Sequence, residues 1–259
     1  MTLHFGPQLK EWRRVRRLSQ LDLAGEAGIS ARHLSFLETG RSRPTEGMIL
    51  RLAQALDLPT GAHNELFAAA GYAPRFGGSA DRGLDGVEPG ARRVVDLILD
   101  RHAPWPAACF NAGYDVLGGN TGFAALTARF GVGTAANLLD LVFTPGPVRA
   151  AIANWPAFAA AFLRRAEAEA RFLGPRSPLA RRLAALRAGG HLPEARAETG
   201  RPPPYVELAL ALAGVETRWI TTVTTLGSAQ DVLLEGIFIE QYFPADAETR
   251  RLADRLADG

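Results

Sequence analysis

Five histidines (His4, His33, His63, His102 and His191) and one cysteine, Cys109, are the side chains here best suited to ligate a metal or attack a substrate. Their spacing supports neither. There is no His-Glu-x-x-His pair and no Cys-x-x-Cys pair, so zinc donors never share a helical face or a loop. A single cysteine also leaves an internal disulfide without a second partner. Gly131-Val132-Gly133-Thr134-Ala135-Ala136 has the loose G-x-G-x-x-A form of a dinucleotide-binding turn, but it follows a helical stretch and lies in no strand-helix-strand unit. No P-loop and no G-x-S-x-G elbow occurs. The expectation is a protein with no catalytic residues, no metal and no cofactor.

Phosphate binding is the chemistry that the charge pattern does favour. The 259 residues carry 29 Lys and Arg against 27 Asp and Glu, a net charge of +2. Residues 1–70 hold nine basic and seven acidic side chains, whereas residues 71–259 hold twenty of each. The imbalance is steepest over residues 1–43, where Lys10, Arg13, Arg14, Arg16, Arg17, Arg32, Arg41 and Arg43 face four acidic residues. Such a local excess is what a phosphate-binding surface needs. All but one of the basic residues are arginines and most lie beyond residue 70, so arginine preference alone carries no DNA signal.

At 47% hydrophobic and 22% charged residues, the composition is that of a globular chain long enough for two domains, which excludes disorder, collagen or coiled coil for the whole. The first residues carry no leader pattern, and apolar stretches such as Trp155 to Leu163 reach about half of what a bilayer crossing needs. A soluble cytoplasmic protein without a membrane segment is expected.

Helical spacing predicts five short helices before residue 70. The first covers Pro7 to Arg17; the next three are capped by Ser19, Ser30 and Thr45, with Gly28 and Gly40 as stops; the fifth covers Gly61 to Ala70. Residues 71–90, with six glycines and two prolines, read as a linker. A helix over Ala91 to His102 follows, then a hairpin within Trp105 to Leu117 turning at Asn111-Ala112-Gly113. Several helices fill Thr121 to Ala188. Three strands, Tyr205–Ala213, Arg218–Leu226 and Asp231–Phe243, turn at Gly214-Val215 and Gly227-Ser228-Ala229, and a last helix starts at Ala245. The order predicts an all-α domain over 1–70 and an α+β domain over 91–259 with an antiparallel sheet of about five strands.

Two helices joined by a tight glycine turn make a helix-turn-helix, whose second helix enters the DNA major groove. Leu18-Ser19-Gln20, Leu23-Ala24, Ala27-Gly28-Ile29-Ser30, Leu34, Leu37-Glu38, Gly40-Arg41 and Leu52-Ala53-Gln54-Ala55-Leu56 resemble the XRE, or lambda-repressor-like, family over about residues 6–70. Physics and that resemblance together assign Ala31, Arg32, Ser35 and Phe36 to base reading. Arg32 leads, because a guanidinium can donate two hydrogen bonds to one guanine. Gln20, His33, Arg41 and Arg43 are expected at phosphates, and the resemblance implies a structural Arg13–Glu38 ion pair. One departure stands out: Arg17 occupies a position where the family commonly has glycine.

The second part resembles the ligand-binding domain of MmyB-like regulators, a PAS-like fold. Pro104-Trp105-Pro106-Ala107, Tyr114-Asp115-Val116-Leu117 through Asn120, Asn137-Leu138-Leu139, Asn154-Trp155, Thr221 to Gly227 with Asp231-Val232, and Glu240 to Asp246 carry the likeness over about residues 91–250. A pocket between sheet and helices would be lined by Phe110, Tyr114, Val116, Leu139, Trp155, Phe158, Phe162, Thr222, Thr224 and Phe238, with Asn120 as a polar contact. The resemblance implies a small hydrophobic ligand such as a fatty acid or an aromatic metabolite. A homodimeric, ligand-responsive regulator of a palindromic operator is the favoured reading. The alternative is an enzyme or small-molecule carrier that the first domain recruits to DNA.

Overall fold

Side-chain caps start the first helices. The Ser19 hydroxyl accepts from the Asp22 amide at 3.1 Å while the Asp22 carboxylate accepts from the Ser19 amide at 2.9 Å, the reciprocal box that begins α2 (Gln20–Glu26). Ser30 and Thr45 likewise cap α3 (Ala31–Glu38) and α4 (Glu46–Ala55). With α1 (Phe5–Val15) and α5 (Thr60–Ala69), five short helices form the first unit of this computed structural model. The structure describes residues 5–75, 84, 89–133, 136–193, 206–212, 214–226 and 236–257.

The first helix starts and stops two residues before the predicted limits, and the reason is Arg17. It lies outside α1 with φ of 56°, the left-handed geometry that closes a helix, and the Leu18 amide reaches back to Arg13 O at 3.0 Å. Gly28 and Gly40 end α2 and α3 in the same way. Arginine therefore does a glycine's job here, at a backbone cost of order 1 kcal/mol. Leu9, Leu23, Leu34, Leu37, Ile49, Leu52 and Leu66 fill the core of this unit, and packing runs past Ala70 to Tyr72, whose hydroxyl donates to Pro44 O at 3.1 Å.

Most of the predicted linker, residues 76–83 and 85–88, lies outside the described residues; the next helix, α6, spans Pro89–His102 and so begins before Ala91. Five antiparallel strands follow: β1 (Ala107–Asn111), β2 (Val116–Gly119), β3 (Val206–Leu212), β4 (Val215–Thr225) and β5 (Ile237–Pro244), in the order β2-β1-β5-β4-β3. The sheet class agrees with expectation, but strand limits shift. Val215 is the first residue of β4, so the turn beside it is tighter than predicted, and the expected turn at Gly227-Ser228-Ala229 lies outside the described residues. Thr217, Trp219 and Thr221 alternate inward along β4.

Each face of the sheet has its own cover. α6 packs Val95 and Leu99 on Cys109, Ile237 and Ile239. On the other face sit α7 (Thr121–Ala128), α8 (Leu138–Phe143), α9 (Pro147–Ala151), α10 (Trp155–Leu173), α11 (Pro178–Ala188) and α12 (Ala247–Ala257), around an aromatic cluster.

Asn120 bolts the turn of chain between α6 and α7. Its Oδ1 accepts from the Ala107 and Phe123 amides, both at 3.0 Å, and its Nδ2 donates to Leu99 O at 3.1 Å and Trp105 O at 2.8 Å. All four hydrogen-bonding positions of the amide are thus filled by protein, which leaves none for a ligand. Asn120→Ala should lower stability by at least about 2 kcal/mol through stranded buried groups; a urea-melt shift below about 0.5 kcal/mol, typical of surface positions, would contradict this role.

Candidate DNA interface and effector site

α3 turns Leu34 and Leu37 into the core and leaves Arg32 exposed, with Ala31, Ser35 and Phe36 half-buried beside it. The Arg32 guanidinium stands 5.5 Å from the Phe36 ring centroid, one helical turn away. A guanidinium held near a ring by cation–π attraction keeps N–H donors for hydrogen bonds. Arg41 and Arg43 are exposed just beyond the helix, and His33 is half-buried.

Glu38 is the anchor of this helix. Its side chain is 2% exposed, and it accepts from Arg13 Nε at 2.6 Å, Arg13 Nη2 at 3.0 Å and Gln20 Nε2 at 2.8 Å, so one carboxylate joins α1, α2 and α3. Arg13 also donates to Leu18 O at 2.9 Å. Burial pushes the Glu38 carboxyl up, but hydrogen bonds from Arg13 and Gln20, with the arginine's charge, outweigh it and hold the group below its ordinary value. The amide nitrogen of Gln20 is thereby committed within the protein.

In the second unit, Phe110, Tyr114, Leu139, Phe158 and Phe162 share one buried cluster, with Val116, Trp155 and Phe238 packed against it. Phe110 stacks on Phe238 at 5.5 Å and Phe158 on Phe162 at 5.7 Å. Thr222 and Thr224 do not join them. β4 presents its buried side through Thr217, Trp219 and Thr221, so Thr222 and Thr224 point to the α6 face, where Thr224 donates to Gln241 at 3.1 Å.

A charged network runs into the same cluster. Arg165 Nη1 donates to Glu240 at 3.4 Å and Arg165 Nε to the Tyr114 hydroxyl at 3.2 Å; that hydroxyl donates to Glu169 at 2.8 Å, and Tyr242 donates to Glu240 at 3.2 Å. Arg165 also lies 4.9 Å from the Phe162 centroid, while its buried Nη2 has no hydrogen-bond partner among the described residues. Burial raises Glu169, against the opposing pull of Tyr114 and Arg165. Burial likewise pushes the Cys109 thiol up to about 12, which makes it a poor nucleophile.

Cavities open at the edge of this cluster. A crevice of about 20 Å³ beside Gly122, Leu126 and Trp219 has room for roughly one water. An open cleft of about 560 Å³ is lined by Asp115, Asp140, Arg181, Arg182 and His191. Arg182 pairs there with Asp115 and Asp140. No group of three His, Cys, Asp or Glu side chains placed to hold a metal ion occurs among the described residues.

A family model described as "MmyB-like transcription regulator ligand binding domain" matches residues 91–256, and a helix-turn-helix domain model matches residues 4–66. The chain belongs to the MmyB-like transcription regulators. Among curated relatives, the HTH-type transcriptional regulator RghRB of Bacillus subtilis is 41% identical over 73 residues, 28% of this chain and 50% of that protein. The HTH-type regulator Rv0023 of Mycobacterium tuberculosis is 34% identical over 102 residues, 38% of each chain. This chain therefore aligns with half or less of the length of these relatives.

In this MmyB-like regulator, sequence reasoning missed Arg165, Glu169, Glu240 and Tyr242, and expected a nearly uncharged lining. A signal existed. Phe158, Phe162, Arg165 and Glu169 fall on one stripe of α10 at helical spacing, and Glu240 sits between Phe238 and Tyr242 in a strand.

Removing Glu38 leaves Arg13 buried without its partner. Glu38→Ala should destabilise the first unit by about 3–5 kcal/mol in urea melts. The carboxyl is depressed in the folded state, so its contribution is complete above the unfolded value of about 4.3 and is lost as pH falls through the folded value. A Glu38→Gln variant should therefore flatten the acid limb of the stability profile; an unchanged limb would contradict the brace.

Proposed function

We propose that this MmyB-like regulator is a cytoplasmic homodimer that reads a palindromic DNA operator through the outward face of α3, under control of a small hydrophobic effector in the second unit. The observation that carries the DNA reading is the exposed Arg32 held 5.5 Å from the Phe36 ring centroid, on a helix pinned from behind by buried Glu38. Arg32 reads guanine, with Ala31, Ser35 and Phe36 beside it against base edges, and Arg41, Arg43, His33 and the start of α2 at Gln20 meet phosphates. A dimer would space its two reading helices by about 34 Å, one turn of duplex.

The effector reading rests on the aromatic cluster. Phe110, Tyr114, Phe158 and Phe162 offer apolar surface, and the unpartnered Arg165 Nη2 offers a donor to an acidic group such as that of a fatty acid. The cluster is packed, so a guest has to displace side chains. An effector works only through unequal affinity for two arrangements, and such opening supplies the difference.

Arg32→Ala should weaken operator binding by about 1–3 kcal/mol and relax one base preference, while Arg41→Ala should lower the salt slope by about one without changing preference. Fluorescence anisotropy titrations across salt concentrations read both, and equal affinity for Arg32→Ala would remove it as a reader. Native mass spectrometry of the full chain with lipid extracts and aromatic acids should show a bound mass; an unchanged mass throughout would overturn the effector reading.

A further inference from the structure

Trp12 of α1 lies against the C-terminal end of α10, and Arg16, just past the end of α1, hydrogen-bonds to both units. Arg16 Nε donates to Leu56 O at 2.8 Å and Nη2 to Asp57 O at 2.8 Å, where α4 ends. The same guanidinium donates through Nη1 to Arg171 O at 3.3 Å and through Nη2 to Phe172 O at 3.1 Å, where α10 ends. Helix C-termini expose carbonyls that lack intrahelical donors and carry partial negative charge. A fork of five N–H groups with a fixed positive charge can serve two such ends at once.

Two aromatic rings lie close to the guanidinium as well. Its carbon lies 5.3 Å from the Trp12 ring centroid and 5.3 Å from that of Phe172. Trp12 rests on Gly174, where φ is 90° and any Cβ would overlap the indole ring. Only glycine meets both conditions. At the rim, Arg176 pairs with Glu11 at 2.7 Å.

Both helices at this contact lead to the two sites described above. α10 carries Phe158, Phe162, Arg165 and Glu169 into the aromatic cluster, and its 19 residues span about 28 Å. α1 carries Arg13, one turn from Arg16, which holds Glu38 of the reading helix. We propose that Arg16 is a positioning residue that docks the two units and conveys the setting of α10 to α1, and through Arg13 and Glu38 to α3. Hydrogen bonds hold within a few tenths of an ångström. A guest that shifts α10 to open the cluster therefore either drags α1 with it or breaks the clamp.

The purpose of this relay rests on the regulator reading, but the docking does not, and its test needs neither DNA nor effector. Arg16→Ala also removes bonds inside the first unit, so Phe172→Ala and Gly174→Ala, on the far side of the contact, separate docking from folding. Backbone ¹⁵N relaxation of the full chain should give one shared tumbling time for both units, and in all three variants faster tumbling of the first unit with shifted α3 amide resonances. Separate tumbling in the parent chain, or parent-like tumbling in the variants, would overturn the docking. Undocked variants with unmoved α3 resonances would overturn the relay. Phe172→Ala should further change operator affinity several-fold at an unchanged thermal midpoint, although it lies in the other unit; parent affinity would again overturn the relay, whereas failure of the parent chain to select any operator would count against the regulator reading alone.

Discussion

One buried carboxylate organises the helix-turn-helix unit. Glu38 gathers two bonds from Arg13 and one from Gln20, and so fixes the end of α3 to the last turn of α1 and the start of α2. Three short helices, none stable alone, thereby acquire a set relative orientation that apolar packing by itself would leave loose. A buried ion pair is weak evidence for net stability, since desolvation offsets much of the attraction. Its value here is geometric: it is made on the rear of the helix whose front carries Arg32 and Phe36. The front is then free to carry an exposed charge and a half-buried ring.

The second unit inverts this arrangement, with charge inside an aromatic core. Arg165 is shared between Glu240 and the Tyr114 hydroxyl and lies near Glu169, with its buried Nη2 unpartnered among the described residues. Such a network is costly unless every member is satisfied, so it is the part of the core whose rearrangement would lose least. α10 carries Arg165 and Glu169 of that network and ends against Arg16, the contact on which the proposed relay rests.

Local signals were legible and long-range ones were not. Ser19, Ser30 and Thr45 announced their helices because a cap acts within three residues. Arg17 showed where a turn had to be made without glycine, and the structure answers with a positive φ. Thr222 and Thr224 read as pocket residues, yet they face α6, because period two fixes that residues alternate, not which set meets the aromatic cluster. Asn120 read as a polar pocket contact from its type, but its four bonds join segments up to 21 residues away. Arg165 and Glu240 are 75 residues apart, and no spacing rule connects them.

Every step from α3 to α10 has a function only if the first unit discriminates among DNA sequences. The most direct measurement is selection of binding sites by the full chain from a pool of random duplexes. Enrichment of a two-fold symmetric site, with half-sites about one helical turn or 10 base pairs apart, is the predicted result. A pool that remains unenriched, with binding that depends on salt alone, would contradict it.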